Sequence, residues 1–231
     1  MNKRLELISS LIPSGKGFVD VGTDHGYLPV YMAQKGYCGN IIASDIKEGP
    51  LSTAVASARE ADLEGRISFR LCDGLDGCNK DEVDTIVIAG MGGDTICGIL
   101  DRAEWCMDSK YFLILQPMTK CEILRYWLAN NEFCILDELL IKDNGEIYQI
   151  ITARFGYSCQ LSDAELFSGV FELARKNELF PEYLESLIKR FQKAVTGMDK
   201  AKKAVGRRNL NAQILNQLVQ MKEEMKDAQN T

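Results

Sequence analysis

The chain holds one histidine, two tryptophans and five prolines in 231 residues, and each scarcity closes a route. With His25 as the only histidine, a zinc site built on paired imidazoles is excluded. The eight cysteines never occur as C-x-x-C and none sits at zinc-ligand spacing from the histidine, so no metal is expected. No apolar run is long enough to span a bilayer. The start, Met1-Asn2-Lys3-Arg4-Leu5-Glu6, carries neither an apolar core nor a small-residue cleavage site, so no signal peptide is expected. Scattered cysteines without an export signal point to reduced thiols and a cytoplasmic location. Cys97 is read among them as a buried thiol rather than a reactive one. A nicotinamide or flavin fingerprint, G-x-G-x-x-G, is also missing: the first glycine loop has Asp24 and Tyr27 where glycines would be needed.

What is present is a globular composition, 46% hydrophobic and 26% charged, in a length suited to one sizeable domain with an appendage. The net charge of −6 argues against indiscriminate nucleic-acid binding. Its distribution is uneven. Lys189, Arg190, Lys193, Lys200, Lys202, Lys203, Arg207 and Arg208 are opposed only by Asp199 over the same stretch. Such a segment is either a solvated helix face or a local polyanion-binding surface.

Apolar runs and breakers alternate through the first two-thirds of the chain. Strands are expected at Gly17 to Val21, Ile41 to Asp45, Ile67 to Leu71, Asp84 to Ala89 and Tyr111 to Leu115. Helices are expected between them, the one after Gly49-Pro50 opening on a first-turn proline. Phe133 to Lys142 and Ile147 to Ala153 flank Asp143-Asn144-Gly145, a hairpin signal. Five strands alternating with helices imply a parallel, doubly covered sheet with right-handed crossovers. The closing antiparallel pair distinguishes it from an ordinary dinucleotide fold and fits a Rossmann-like, seven-stranded α/β methyltransferase sheet. From Ser162 the pattern turns helical, over Asp163 to Lys176, Pro181 to about Lys203 and Asn209 to about Lys226. The last two read as an antiparallel hairpin or coiled coil. The expected division is 1–157 for the sheet domain and 158–231 for the helices.

In an open parallel sheet, ligands bind beyond the carboxyl ends of the strands. Each of the five strands ends there in polar or glycine residues: Asp20-Val21-Gly22, Asp45, Asp73-Gly74-Leu75, Ala89-Gly90-Met91-Gly92-Gly93 and Gln116-Pro117-Met118. Asp45 lies 25 residues beyond Asp20, close to the spacing of a carboxylate that grips ribose hydroxyls. Asp73 suits an adenine amino group, and Leu75 an apolar contact with the ring. Asp20 and Asp24 suit a ligand with an amino group and a sulfonium, both cationic, which favours S-adenosylmethionine over NAD. Bland roles stay open beside these: a cap after the second strand for Asp45, a turn before Gly74 for Asp73, a helix cap for Asp24, a structural hydrogen bond for His25.

These motifs together carry a resemblance. D-V-G-T-D-H-G-Y-L-P (Asp20 to Pro29), A-S-D-I-K-E-G-P-L (Ala43 to Leu51), D-G-L (Asp73 to Leu75), I-A-G-M-G-G (Ile88 to Gly93), L-Q-P-M (Leu115 to Met118) and E-I-Y (Glu146 to Tyr148) resemble the bacterial tRNA (adenine(22)-N1)-methyltransferases. The D/N-P-P-Y/F signature of adenine-N6 methyltransferases is absent; I-A-G-M-G-G stands at that strand end. The resemblance implies methyl transfer from S-adenosyl-L-methionine to N1 of an adenine in tRNA, by a protein with a C-terminal coiled-coil of helices. It implies that Asp20, Gly22, Asp45, Asp73 and Gly90 line the cofactor, and Thr23, His25, Gly26, Ile46, Gly74, Leu75, Ala89 and Gly92, beside them at the same strand ends, are expected to contact it as well. Asp24, Tyr27 and Met91 would stand at the target base. A monomer is expected. The same fold also serves methyltransferases of rRNA, protein or metabolites, and a non-catalytic tRNA-binding protein is the rival of another class.

Overall fold

The strands follow from alternating apolar residues that bury both faces. In the computed structural model, which describes residues 2–157, 160–198 and 205–229, β1 (Gly17–Val21) is wholly buried. It pairs in parallel with β2 (Asn40–Asp45), and β2 with β3 (Ser68–Leu71). On its other side β1 pairs with β4 (Thr85–Gly92), and β4 with β5 (Phe112–Thr119). The hairpin of β6 (Phe133–Asp143) and β7 (Glu146–Phe155) completes the sheet through an antiparallel β5–β7 pairing. The order is β3-β2-β1-β4-β5-β7-β6. Chain order therefore reverses between β1 and β4, where a parallel sheet opens a crevice.

Side chains alternate between two cores, as the period of two requires. Val19, Val21, Ile86, Ile88, Leu113 and Leu115 face α4 (Gly93–Arg102) and α5 (Cys121–Asn130). Phe18, Ile41, Val87 and Ile114 face α1 (Lys3–Leu11), α2 (Tyr27–Gln34) and α3 (Glu48–Glu60). The hairpin turns on Asn144 and Gly145, at φ 49° and 85°, the left-handed pair that matches strand twist.

Two differences from the sequence expectation have physical causes. β4 runs on through Gly92 instead of ending at Ala89, and β5 runs to Thr119 instead of Leu115. They stay paired past Ala89 only by shifting register on either side of Met91, opposite Pro117, which has no N–H to give the ladder. The helix expected over Asp163 to Lys176 is two: α6 (Asp163–Ser168) and α7 (Phe171–Ala174). The break is at Gly169, φ 97°, where the Glu138 carboxylate occupies the space of a β-carbon.

The last helices, α8 (Phe180–Met198) and α9 (Val205–Gln229), pack antiparallel, Glu185 early in one pairing with Lys222 late in the other. Leu184, Leu187, Ile188 and Phe191 meet Ile214, Leu218 and Met221 in a third core, which reaches Leu140 and Ile147 of the hairpin. Beside it lies a buried polar junction. Arg125 of α5, 1% exposed, donates from Nε to Glu138 Oε1 at 2.6 Å and from Nη1 to the Leu166 carbonyl at 2.8 Å. Its Nη2 bonds Gln149, and the other Glu138 oxygen takes the Val170 N–H at 2.6 Å. One ion pair thus joins the sheet to α6 and α7.

Removing one partner of such a pair leaves a buried charge unmatched. Arg125→Met should cost about 3–5 kcal/mol in urea unfolding, and Arg125→Met/Glu138→Leu less than the single change. Equal stability of Arg125→Met and wild type would contradict this.

Candidate active site

Beyond the carboxyl ends of β1, β2 and β4 lies a cleft of about 780 Å³, large enough for a nucleoside-sized ligand. The turn after β1 builds its floor. Gly22 and Thr23 donate their backbone N–H groups to the Ser44 carbonyl at 2.8 and 2.9 Å, tying the turn to β2. Gly22, at φ 71°, takes a left-handed backbone that side chains rarely adopt, and Met91 Cε lies where its β-carbon would be. The two glycine loops therefore interlock. Gly26, at φ 69°, ends the turn against Ala54 of α3 and starts α2.

The carboxylates are held close together. Asp20 is 6% exposed and Asp45 8% exposed, on neighbouring strands. Thr23 Oγ1 donates to Asp20 Oδ2 at 2.7 Å. Asp45 accepts the Asp24 N–H at 3.2 Å and the Lys47 N–H at 2.9 Å. Burial, more than the Asp45 charge, pushes Asp20 up from 3.8 to about 6, the Thr23 hydrogen bond opposing it. A cation in the cleft would relieve this cost, which fits an amino group or sulfonium.

Twelve of the expected positions border the cleft: Asp20, Gly22, Thr23, Asp24, Tyr27, Asp45, Ile46, Asp73, Gly74, Ala89, Gly90 and Met91. His25, Gly26, Leu75 and Gly92 do not. The Leu75 side chain is buried in the core under α4, and the apolar side chains that border the cleft near Gly74 are Ile99 and exposed Ile46. His25 stacks on Tyr27, ring centroids 5.3 Å apart, with Nε2 3.5 Å from the Asp24 carboxylate at the rim. Gly92 caps α4. Asp73 pairs with Arg102 at 2.7 Å, leaving its second oxygen for a ligand.

Sequence reading missed one wall altogether. Asn2, Arg4 and Leu5 of the first helical turn border the cleft. Arg4 bonds Gln116, 112 residues away, and no local pattern announces such a contact. Thr95, Ile99 and Arg102 follow from the helical period of α4, had its facing been known. Of the basic residues, Lys189 and Lys193 lie exposed on α8, and Arg190 covers the Phe167 and Phe191 rings at 5.5 and 5.3 Å. Arg208 is exposed on α9. Lys200, Lys202, Lys203 and the Arg207 side chain lie outside the described residues. Cys97 is buried, its thiol pushed up to about 11 by desolvation. Among the described residues no cluster could hold a metal, and no helix is long and apolar enough to cross a membrane.

A methyltransferase-domain family model matches residues 1–151. The tRNA (adenine(22)-N(1))-methyltransferase of Bacillus subtilis (strain 168) is 34% identical over 185 residues, 78% of each chain. This chain belongs to that methyltransferase family. Solved relatives extend the likeness over the helical part. The structure of M. capricolum TrmK with S-adenosyl-homocysteine is 27% identical, with a TM-score of 0.78 over 98% of both chains. Streptococcus pneumoniae Sp1610 with S-adenosyl-L-methionine is 29% identical, with a TM-score of 0.79 over 96% of this chain and 99% of that one.

In this methyltransferase the acidic floor has a measurable cost. Because the folded chain holds the Asp20 proton more tightly than the unfolded chain, that contribution to stability is full below the ordinary carboxylate range. It is lost as pH rises through about 6. Asp20→Asn should therefore stabilise the ligand-free protein by about 1–3 kcal/mol at pH 7, with the gain vanishing below pH ~4. Thermal melts across pH check this; a gain independent of pH would contradict it.

Proposed function

We propose that this protein transfers a methyl group from S-adenosyl-L-methionine to N1 of an adenine in tRNA, at position 22. The observation that carries the reading is the acidic, glycine-lined cleft at the strand-order reversal of a chain akin to tRNA (adenine(22)-N(1))-methyltransferases. The relatives crystallised with the methyl donor and its product support the cofactor.

In this reading Asp20 faces the cofactor's amino group, Asp45 its ribose hydroxyls and Asp73 its adenine. Gly22 supplies the left-handed turn that shapes the cleft floor, and Gly90 lets the ligand approach the backbone closely. Neutral adenine N1 carries an in-plane lone pair, so the methyl can transfer without prior deprotonation. The bond from N1 to carbon forms as the carbon–sulfur bond breaks, and sulfur leaves with that electron pair as a neutral thioether. The main contribution of the protein is alignment at roughly 3–3.5 Å approach. The base becomes cationic. Asp24, whose backbone is fixed at φ 51° by the bond to Asp45, is the carboxylate at the rim that stabilises that charge or takes a proton from the exocyclic amine. The adenine leaves its stack to reach it, and Tyr27, 56% exposed, and Met91 flank the opening.

Lys189, Arg190 and Lys193 on α8, with Arg208 on α9, belong to a surface for tRNA phosphates, and Lys200, Lys202, Lys203 and Arg207 add to the positive charge of the same stretch of sequence. The helices from 158 to 231 act as an RNA-binding unit attached to a catalytic domain of residues 1–157. The protein works as a monomer in the cytoplasm, a compartment in keeping with its free thiols.

The test is unmodified tRNA incubated with protein and cofactor, digested, and searched for 1-methyladenosine by mass spectrometry. The wild type should produce it, and Asp24→Ala should bind S-adenosylhomocysteine normally while losing about 10²-fold or more in turnover. Absence of 1-methyladenosine with folded, cofactor-binding protein would overturn the reaction; full activity of Asp24→Ala would remove Asp24 from it.

A further inference from the structure

Most charged groups bordering the cleft are accounted for: Asp20 and Asp45 are hydrogen-bonded, and Asp73 is paired with Arg102. Arg4 is not. Arg4 is half-buried in the first turn of α1 and borders the cleft, its guanidinium reaching Gln116 of β5, Tyr148 of β7 and the Gly90 position of β4. Its hydrogen bonds all use Nη1 and all go to neutral acceptors, the Gln116 side-chain oxygen and Met118 Sδ at 3.7 Å. The group lies over the Tyr148 ring at 5.4 Å. Among the described residues no carboxylate pairs with it, and Nε and Nη2 keep their N–H groups unbonded.

Its partners orient it. Gln116 is fully buried, and the same side-chain oxygen accepts the Gly90 N–H at 3.1 Å while its amide nitrogen donates to the Pro117 carbonyl at 2.9 Å. A β-carbon on Gly90 would come 3.6 Å from Arg4 Nη1, so the cation sits directly beside the second glycine loop. A partly desolvated guanidinium held by neutral groups, with a fork of donors left over, is a receptor for a planar or tetrahedral oxyanion. Its position over β4, β5 and β7 puts it on the side of the cleft away from Asp45 and Asp73.

We propose that Arg4 binds an oxyanion of a ligand, supplying the positive charge that the otherwise acidic cleft lacks on this side. The inference rests on the methyltransferase reading, in which two ligands bring such a group: the cofactor, with its methionyl carboxylate, and the RNA, with the phosphate next to the target adenosine. Gln116 acts with it as a positioning residue, tying the guanidinium to the Gly90 peptide.

Arg4→Met removes the charge and keeps most of the stem; Arg4→Gln is the second variant should the first fail to fold. Calorimetry compares S-adenosylhomocysteine with 5′-methylthioadenosine, which lacks the carboxylate, and initial rates give KM for tRNA against salt. If Arg4 holds the carboxylate, affinity for S-adenosylhomocysteine falls about tenfold or more while methylthioadenosine is unaffected. If it holds the phosphate, both nucleosides bind as before, KM for tRNA rises, and the slope of log KM on log salt becomes shallower by about 0.7–0.9. Equal loss for both nucleosides would make Arg4 a mere prop for the glycine loop, and no change in either ligand would leave it without a binding role; each overturns the proposal. Failure of the wild type to bind S-adenosylhomocysteine would instead count against the methyltransferase reading itself.

Discussion

Carboxylates crowded at the ends of two adjacent strands are the constraint on which the rest of this molecule turns. Asp20 and Asp45 are nearly buried, and neither has a cation paired with it among the described residues. They are tolerated because the turn between β1 and α2 and the start of α3 supply donors: the Thr23 hydroxyl and the Asp24 and Lys47 N–H groups. Hydrogen bonds alone do not cancel the desolvation, and Asp20 stays well above its ordinary range. In the proposed reading the site is arranged for a cationic ligand before one arrives, which is electrostatic preorganisation at the cost of ligand-free stability.

The remaining architecture keeps that crevice open and closely shaped. Register shifts where β4 runs past β5 carry Gly90 and Met91 over the turn of β1, where Met91 fills the space a side chain at Gly22 would need. The Gln116 side chain fixes Gly90 from below and Arg4 from the side. At the far edge the Arg125–Glu138 pair fastens α6 and α7 to the hairpin, so the helical appendage has a defined attachment to the sheet.

Much of this was legible in the chain. The strands and their order of appearance are written in short apolar runs. The crevice is written in the two or three residues just beyond each run, because a strand end has little length in which to place a ligand contact. Leu75 shows the limit: it comes after a strand-end Asp-Gly as a ligand contact would, yet Gly74 turns it into the core under α4. Gly169 shows another, since a glycine in a helical pattern is compatible with either a bend or a break, and the Glu138 carboxylate decides between them. Arg4 was out of reach for a different reason. Its neighbours are assembled by the fold from β4, β5 and β7, and a single basic residue in a short amphipathic helix carries no sign of them.

The central claim is that the buried Asp20 carboxylate meets the cationic end of the cofactor. Calorimetry of S-adenosylhomocysteine binding at pH 6, in two buffers of different ionisation enthalpy, counts the protons exchanged. With Asp20 raised to about 6, ligand binding at pH 6 should release about half a proton per site, and Asp20→Asn should release none. Binding by the wild type with no proton exchanged would contradict the account.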